Sequence, residues 1–204
     1  MRNKDSKFKR RSHEAATFLK RFFTHPGRIG SVAPSSKFLA HALLSQVDWA
    51  NAKNIAELGA GTGVFTRDIV KLARADANIL VFEIDVSLRR LIKEEHPEHK
   101  GLKLYSDAQK LEEAMRENKI EKFDYIISSL PFTVLPHDMS ENILNAVNKT
   151  LSAKGRFIAY QYSRIMKHTL QEKFSDIKSQ YVLLNIPPAF VFNCARGASC
   201  KDSY

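Results

Sequence analysis

The sequence predicts an α/β fold: a seven-stranded, mostly parallel sheet with its last strand antiparallel, helices on both faces, and a helical extension at the N-terminus. Three observations predict it. From residue 54 onward, short apolar runs alternate with helical segments, the pattern of a buried parallel sheet. A glycine turn, Gly59-Ala60-Gly61-Thr62-Gly63, joins the first run to a helix. The first three runs each end on or just before an acid: Glu57, Glu83 and Asp107.

Taken in order, residues 1–12 are polar and basic. Residues 13–24 have helical spacing. Ala15, Phe18, Leu19, Phe22 and Phe23 share one face, Lys20 and Arg21 lie off it, and Pro26-Gly27 ends the helix. Gly30 to Ser36 reads as a turn, and Ser35 or Ser36 caps a helix running to about Val47. Asn51 to Asn54 leads into a strand at 54–58, followed by a helix at 64–75. Strand 79–83 precedes a helix at 86–95. Strand 102–105 reaches Ser106-Asp107 and a helix at 108–118. Strand 123–128 ends at Ser129-Leu130-Pro131-Phe132, before a helix at 139–151. After Lys154-Gly155 come strand 156–161 and a helix at 164–175. The last two runs, 179–186 and 189–195, flank Pro187-Pro188. Their separation is too short for a crossover helix, so they pair antiparallel. Residues 1–53 are thus a basic tail and helical extension or lid, and residues 54–204 are the domain that carries the site.

The 204 residues are 44% hydrophobic, enough for one domain with a sizeable core. The net charge of +10 points to an anionic partner, nucleic acid or an acidic lipid surface. Much of the excess lies in residues 1–24, where Arg2, Lys4, Lys7, Lys9, Arg10, Arg11, Lys20 and Arg21 face only two acids, Asp5 and Glu14. Two cysteines, Cys194 and Cys200, form no metal-ligand cluster and no disulfide framework, so no metal is expected. The N-terminus has no apolar stretch of signal-peptide type, and no run approaches the ~20 residues of a spanning helix. The expected location is the cytoplasm, including the inner face of the cell membrane. Nothing in the sequence speaks to oligomeric state.

Ligands of doubly wound sheets bind beyond the C-terminal ends of the strands. Those ends carry Glu57, the glycine turn, Glu83, Ser106-Asp107 and Ser129 to Phe132. Glycines let backbone approach a ligand closely, and the helix start behind them offers N–H groups. Glu83 stands 24 residues after Gly59, the distance at which a strand-end carboxylate meets a ribose in dinucleotide-type folds. Asp107 also suits the cap of the following helix.

The ordered series resembles the Rossmann-like class I S-adenosylmethionine (SAM)-dependent methyltransferases. The resemblance covers about residues 54–196. It implies that Glu57, Gly59, Gly61 and Gly63 pass beneath the methionine part of SAM. It implies that Glu83, with Ile84 beside it, receives the ribose hydroxyls, and that Asp107 and Ala108 meet the adenine. The glycine pattern is GxGxG, whereas NAD-binding dehydrogenases carry GxGxxG.

Ser129-Leu130-Pro131-Phe132 is similar to the N-(L/I)-P-(Y/F) signature of rRNA adenine dimethylases. In that family the Asn and a backbone carbonyl hold the adenine amino group and the aromatic stacks on the base. Here Ser129 stands in place of the Asn, and about eight residues follow the last strand where the dimethylases carry a helical RNA-binding domain. A second resemblance covers most of residues 14–196. Phe18 to Pro26, Gly30 to Ser36, and Asn185-Ile186-Pro187-Pro188-Ala189-Phe190-Val191-Phe192 with Arg196 are similar to bacterial phospholipid N-methyltransferases. This family methylates the amine of phosphatidylethanolamine. Ser31, Ser36 and Ser129 are further candidate cofactor contacts. Ser129, Leu130, Pro131, Phe132 and, at the end of the fifth strand, Tyr162 are the candidate acceptor residues.

The expected function is therefore SAM-dependent N-methylation of a phosphatidylethanolamine-type phospholipid at an anionic membrane surface. The alternatives are methylation of RNA adenine N6 or of a small molecule. The basic tail and the amphipathic helix suit adsorption to anionic lipid; the same tail suits RNA phosphates, and the helix also suits packing on the domain. An alkyl amine must lose a proton before attack. Tyr160, Tyr162, His137 and Asp138 are the candidate acceptors, with Tyr162 foremost because it could also wall a methylated ammonium by cation–π contact. Arg196 reads equally as a grip on lipid phosphate or as a surface charge.

Overall fold

A computed structural model describes residues 36–197. The expected helix at 13–24, the basic tail, Ser31 and Cys200 lie outside the described residues. Within them the chain forms helix α1 (Lys37–Leu44), strand β1 (Asn54–Leu58), α2 (Val64–Leu72), β2 (Asn78–Phe82), α3 (Val86–Glu95) and β3 (Leu102–Tyr105). A 3-10 turn (Ala108–Lys110) and α4 (Leu111–Glu117) follow, then β4 (Phe123–Ser128), α5 (His137–Thr150), β5 (Leu151–Gln161), α6 (Met166–Lys173), β6 (Phe174–Val182) and β7 (Ala189–Arg196).

The seven strands form one sheet in the order β3-β2-β1-β4-β5-β7-β6. The first five pair parallel, and β7 is antiparallel to both β5 and β6. The single antiparallel strand is therefore the last in sequence, inserted between β5 and β6. Two apolar layers result. On one face, Ala56, Leu58, Phe82, Ile126 and Phe157 pack under α4, α5 and α6 through residues such as Leu111, Leu144 and Leu170. On the other, Ile55, Val81, Ile127, Ile158 and Val191 pack under α1, α2 and α3 through Leu39, Leu43, Ile69 and Ile92. Strand residues alternate between the two faces, and both faces are dry, which is why the parallel strands read as continuous apolar runs.

Helix α1 is part of this core: Leu39 and Leu43 are fully buried. Its cap is Ser36, whose Oγ accepts from the Leu39 N–H.

The largest departure from the expected boundaries is β6. It spans Phe174–Val182 and not 179–186, and α6 ends at Lys173. As an edge strand, β6 pairs with β7 alone and leaves most residues in solvent, so its sequence, FSDIKSQYV, carries no apolar run. The apolar residues Leu183, Leu184 and Ile186 instead form an exposed connection to β7, with a cis bond at Ile186-Pro187. Strand β5 also starts earlier, at Leu151, with a register shift against β4 between Phe123 and Tyr125.

Candidate cofactor and acceptor site

Parallel pairing brings the C-terminal ends of β1, β2, β3, β4 and β5 to one edge. The turn after β1 is fastened from its neighbour. The N–H groups of Gly59 and Ala60 donate to the Phe82 carbonyl at 2.8 and 3.2 Å, and the Glu83 N–H donates to the Tyr105 carbonyl. Gly59, Gly61 and Gly63 all have positive φ, at 81°, 57° and 78°. A Cβ on Gly59 would stand 2.9 Å from Leu130 Cδ2, so this glycine also lets the acceptor loop close on the turn.

Glu83 is buried just beyond β2. Its Oε2 accepts from the Gly61 N–H at 2.7 Å and its Oε1 from the Asp85 N–H at 2.9 Å. Burial raises its pKa, and the backbone donors oppose the rise. Glu57 is fully buried, and its Oε2 accepts from Thr66 Oγ1 at 2.6 Å while Oε1 has no partner. Burial pushes its carboxyl up to about 7. The Thr66 hydrogen bond lowers it, and the Glu83 charge adds to the rise. Asp107 caps the 3-10 turn, its Oδ1 accepting from the Gln109 N–H at 2.9 Å, and Ala108 opens that turn. Ile84 is half-buried against the core.

On the other side of the edge, the Ser129 N–H donates to the Leu58 carbonyl at 2.9 Å. Its Oγ is buried without a partner. The carbonyl of Leu130 accepts twice, from Gln161 Nε2 at 2.8 Å and from the Phe132 N–H at 2.9 Å. The Pro131 carbonyl also accepts twice, from the N–H groups of Val134 and Leu135. Phe132 is buried, with its ring edge-on to Phe157 at 6.2 Å between centroids. Gln161 was not singled out by the sequence; a polar residue closing the apolar run 156–161 was the available signal. Thr66, polar on the buried face of α2, was missed in the same way.

Tyr162 lies just past β5, edge-on to Tyr160 at 5.6 Å. Its hydroxyl is buried near Tyr160 and Asn185 without meeting hydrogen-bond geometry with either. Burial, then the neighbouring Tyr160, push its pKa well above that of a free phenol. The rise disfavours the phenolate that proton acceptance by Tyr162 would need. His137 is almost wholly exposed at the start of α5, beside Asp138. Arg196 is also corrected as a grip on the acceptor. It ends an antiparallel strand and pairs with Phe174 at the start of β6, at the sheet edge opposite the site. Ser36 uses its Oγ as a helix cap and donates its N–H to Asn185 Oδ1 at 3.0 Å, so the start of α1 abuts the β6–β7 connection. Among the described residues there is no metal-binding group of three or more ligands, and no helix is long and apolar enough to cross a membrane.

The family model described as methyltransferase small domain matches residues 22–182. The ornithine lipid N-methyltransferase of Singulisphaera acidiphila is 29% identical over 193 residues, covering 92% of this chain and 97% of its own. Among solved structures, the N-methyltransferase NodS of Bradyrhizobium japonicum, in complex with S-adenosyl-L-homocysteine, has a TM-score of 0.68 at 12% identity, covering 90% of this chain and 99% of its own. An rRNA methylase of Streptococcus thermophilus has a TM-score of 0.56 at 15% identity, covering 79% of this chain and 93% of its own. The two solved structures share the fold. The strand ends fit SAM on their own geometry. Three positive-φ glycines form the turn, the Glu83 carboxylate backs it, and Glu57 Oε1 and Ser129 Oγ are buried without partners.

Proposed function

The chain belongs to the methyltransferase small domain family and is a SAM-dependent methyltransferase; from that premise we propose that it N-methylates the amine of a membrane lipid. The observation that carries the proposal is the end-to-end match to a lipid N-methyltransferase, over 92% of this chain. A phosphatidylethanolamine-type head group and an amino-acid-derived one such as ornithine lipid present the same nucleophile, an alkyl amine on an amphiphile.

The acceptor loop favours an alkyl amine over adenine. With the Leu130 and Pro131 carbonyls each accepting two hydrogen bonds from the protein, neither has a lone pair left for an exocyclic amino group. The Phe132 ring is packed against Phe157, away from any stacking partner. Ser129 offers a single short hydroxyl where a carboxamide would present separate carbonyl and NH2 groups to the base edge.

SAM supplies a methyl group activated by its sulfonium, and the protein contributes mostly positioning. The Gly59–Gly63 turn and Glu83 hold the cofactor, with Glu57, Ile84, Asp107 and Ala108 completing its surroundings. Ser36, whose Oγ already serves the α1 cap, reaches the site through its contact with Asn185. Ser129 Oγ accepts an N–H of the incoming amine, which orients the nitrogen lone pair. Leu130 and Pro131 set the loop that carries Ser129, and Phe132 anchors it in the core. Tyr162 gives an aromatic wall for the methylated ammonium and acts as a neutral phenol, with no part in taking the proton.

The test supplies labelled SAM with phosphatidylethanolamine, ornithine lipid or total RNA. Label in either lipid and none in RNA is the expected result. Label in RNA alone overturns the proposal.

A further inference from the structure

Ten large apolar residues are exposed among the described residues, and six of them lie near the acceptor loop: Ile165 at 77%, Ile186 76%, Leu183 69%, Leu184 64%, Phe38 56% and Val134 46%. They are scattered in sequence but gathered in the fold. Val134 follows β4 and Ile165 follows β5, at the C-terminal ends of parallel strands. Strand β6 runs in the same direction as β5, because β7 is antiparallel to both, so Leu183, Leu184 and Ile186 emerge at that edge too. Phe38 joins them because the start of α1 is tied to Asn185. Single exposed apolar residues are ordinary, but this many large ones along one edge, beside a reaction site, mark an interaction surface.

Resting on the lipid reading above, we propose that this rim docks on an anionic lipid bilayer, so that the lipid amine reaches the strand ends directly from the membrane.

Charge supports a bilayer as the occupant. Residues 161–167 and 178–190 contain no Asp or Glu. Arg164 and Lys37 are exposed at the rim, and Lys167 is half-buried beside them. The Arg164 guanidinium lies over the Phe190 ring at 5.7 Å. Apolar side chains flanked by the cations of Lys37 and Arg164, with no acid in the two segments that carry Ile165, Leu183, Leu184 and Ile186, match a lipid surface: the first reach below the head groups and the second meet phosphates.

The rim is also held in shape. Asn185 is buried between two exposed neighbours, Leu184 and Ile186. Its Oδ1 accepts from the Ser36 N–H at 3.0 Å, and its Nδ2 donates to the Pro187 carbonyl at 2.7 Å. With the polar residue fastened inward, its apolar neighbours face out.

The experiment uses the full chain and sediments it with vesicles of phosphatidylethanolamine and phosphatidylglycerol, with phosphatidylcholine vesicles as the neutral control. The variants are Leu184→Ser/Ile186→Ser and Ile165→Ser, all at exposed positions where melting should be unchanged. Partitioning onto the anionic vesicles should fall about tenfold or more in the double variant. It should fall less in the single variant, and in all proteins as salt is raised. Methylation of phosphatidylethanolamine in the vesicles should fall in step. Methylation of monomeric short-chain phosphatidylethanolamine should keep its kcat/KM. Wild-type partitioning by both variants overturns the proposal and assigns vesicle binding to another part of the chain. A rim variant that loses self-association and keeps partitioning also overturns it, in favour of a second copy. Failure of the wild type to methylate either form of lipid would overturn the lipid reading instead, and vesicle binding is read independently of it.

Discussion

The two halves of the reactive edge are built differently. In the cofactor half, at the ends of β1, β2 and β3, the side-chain ties span 2 to 22 residues. Glu83 receives the N–H groups of Gly61 and Asp85, Asp107 caps its own turn, and Thr66 meets Glu57 nine residues away. In the acceptor half, beyond β4, β5 and β6, the ties are long. Gln161 reaches Leu130 across 31 residues, and Asn185 reaches Ser36 across 149. The acceptor half ends in an apolar, solvent-facing rim. A fixed reagent suits a rigid cradle made from local motifs. An acceptor that enters and leaves suits a surface assembled from distant parts of the chain.

The strongest break of this contrast is Glu83→Ala. It removes two charge-assisted hydrogen bonds and the turn's brace, each bond worth about 1.5–3 kcal/mol. SAM affinity should fall by about a hundredfold or more in calorimetry while the circular dichroism spectrum stays that of the folded chain. Near-normal affinity would remove Glu83 from the cofactor site.

Next comes Glu57. Its folded pKa of about 7 lies above its ordinary value of 4.5. Folding therefore takes up a proton between these values, and the stability from this group is full below pH 4.5 and declines as pH rises through about 7. The loss is about 3 kcal/mol for a shift of this size. Glu83 shifts in the same direction and adds to the slope. Denaturant midpoints of the cofactor-free protein should fall over this window, and Glu57→Gln should flatten most of the fall. A slope that survives in Glu57→Gln would place the buried proton elsewhere.

The smallest effect is expected in the acceptor half. Tyr162→Phe keeps the aromatic wall and removes a hydroxyl without a partner. It should lower kcat by no more than about threefold, leave the pH–rate profile in place, and cost less than about 1 kcal/mol of stability. A loss of about a hundredfold with a displaced pH limb would restore the phenol as the general base.

The same division explains what could be read in advance. The cofactor half was legible because its parts are periodic: an apolar run, a terminal acid, and glycines where backbone must take positive φ. The parallel sheet was legible because strands dry on both faces must be apolar throughout. Strand β6 was not legible in the same way, because an edge strand with one bonded neighbour carries no such run, and its FSDIKSQYV was divided among the end of a helix, a loop and the start of a later strand. Tyr162 was read from its place at a strand end, and Arg196 from the resemblance of the C-terminal segment. Burial then set the first as a neutral phenol, and the antiparallel course of β7 carried the second to the far edge.

The sequence by itself determined the sheet, the glycine turn and the strand-end acids, because a local pattern has a local cause: side-chain periodicity, a missing Cβ, a carboxylate at a fixed offset. Only the tertiary structure decided that the carbonyls of Leu130 and Pro131 are occupied, that Ser129 Oγ is not, and that Val134, Ile165, Leu183, Leu184 and Ile186 share one rim. Those facts depend on which distant strands lie side by side, and strand order is set by packing the whole chain.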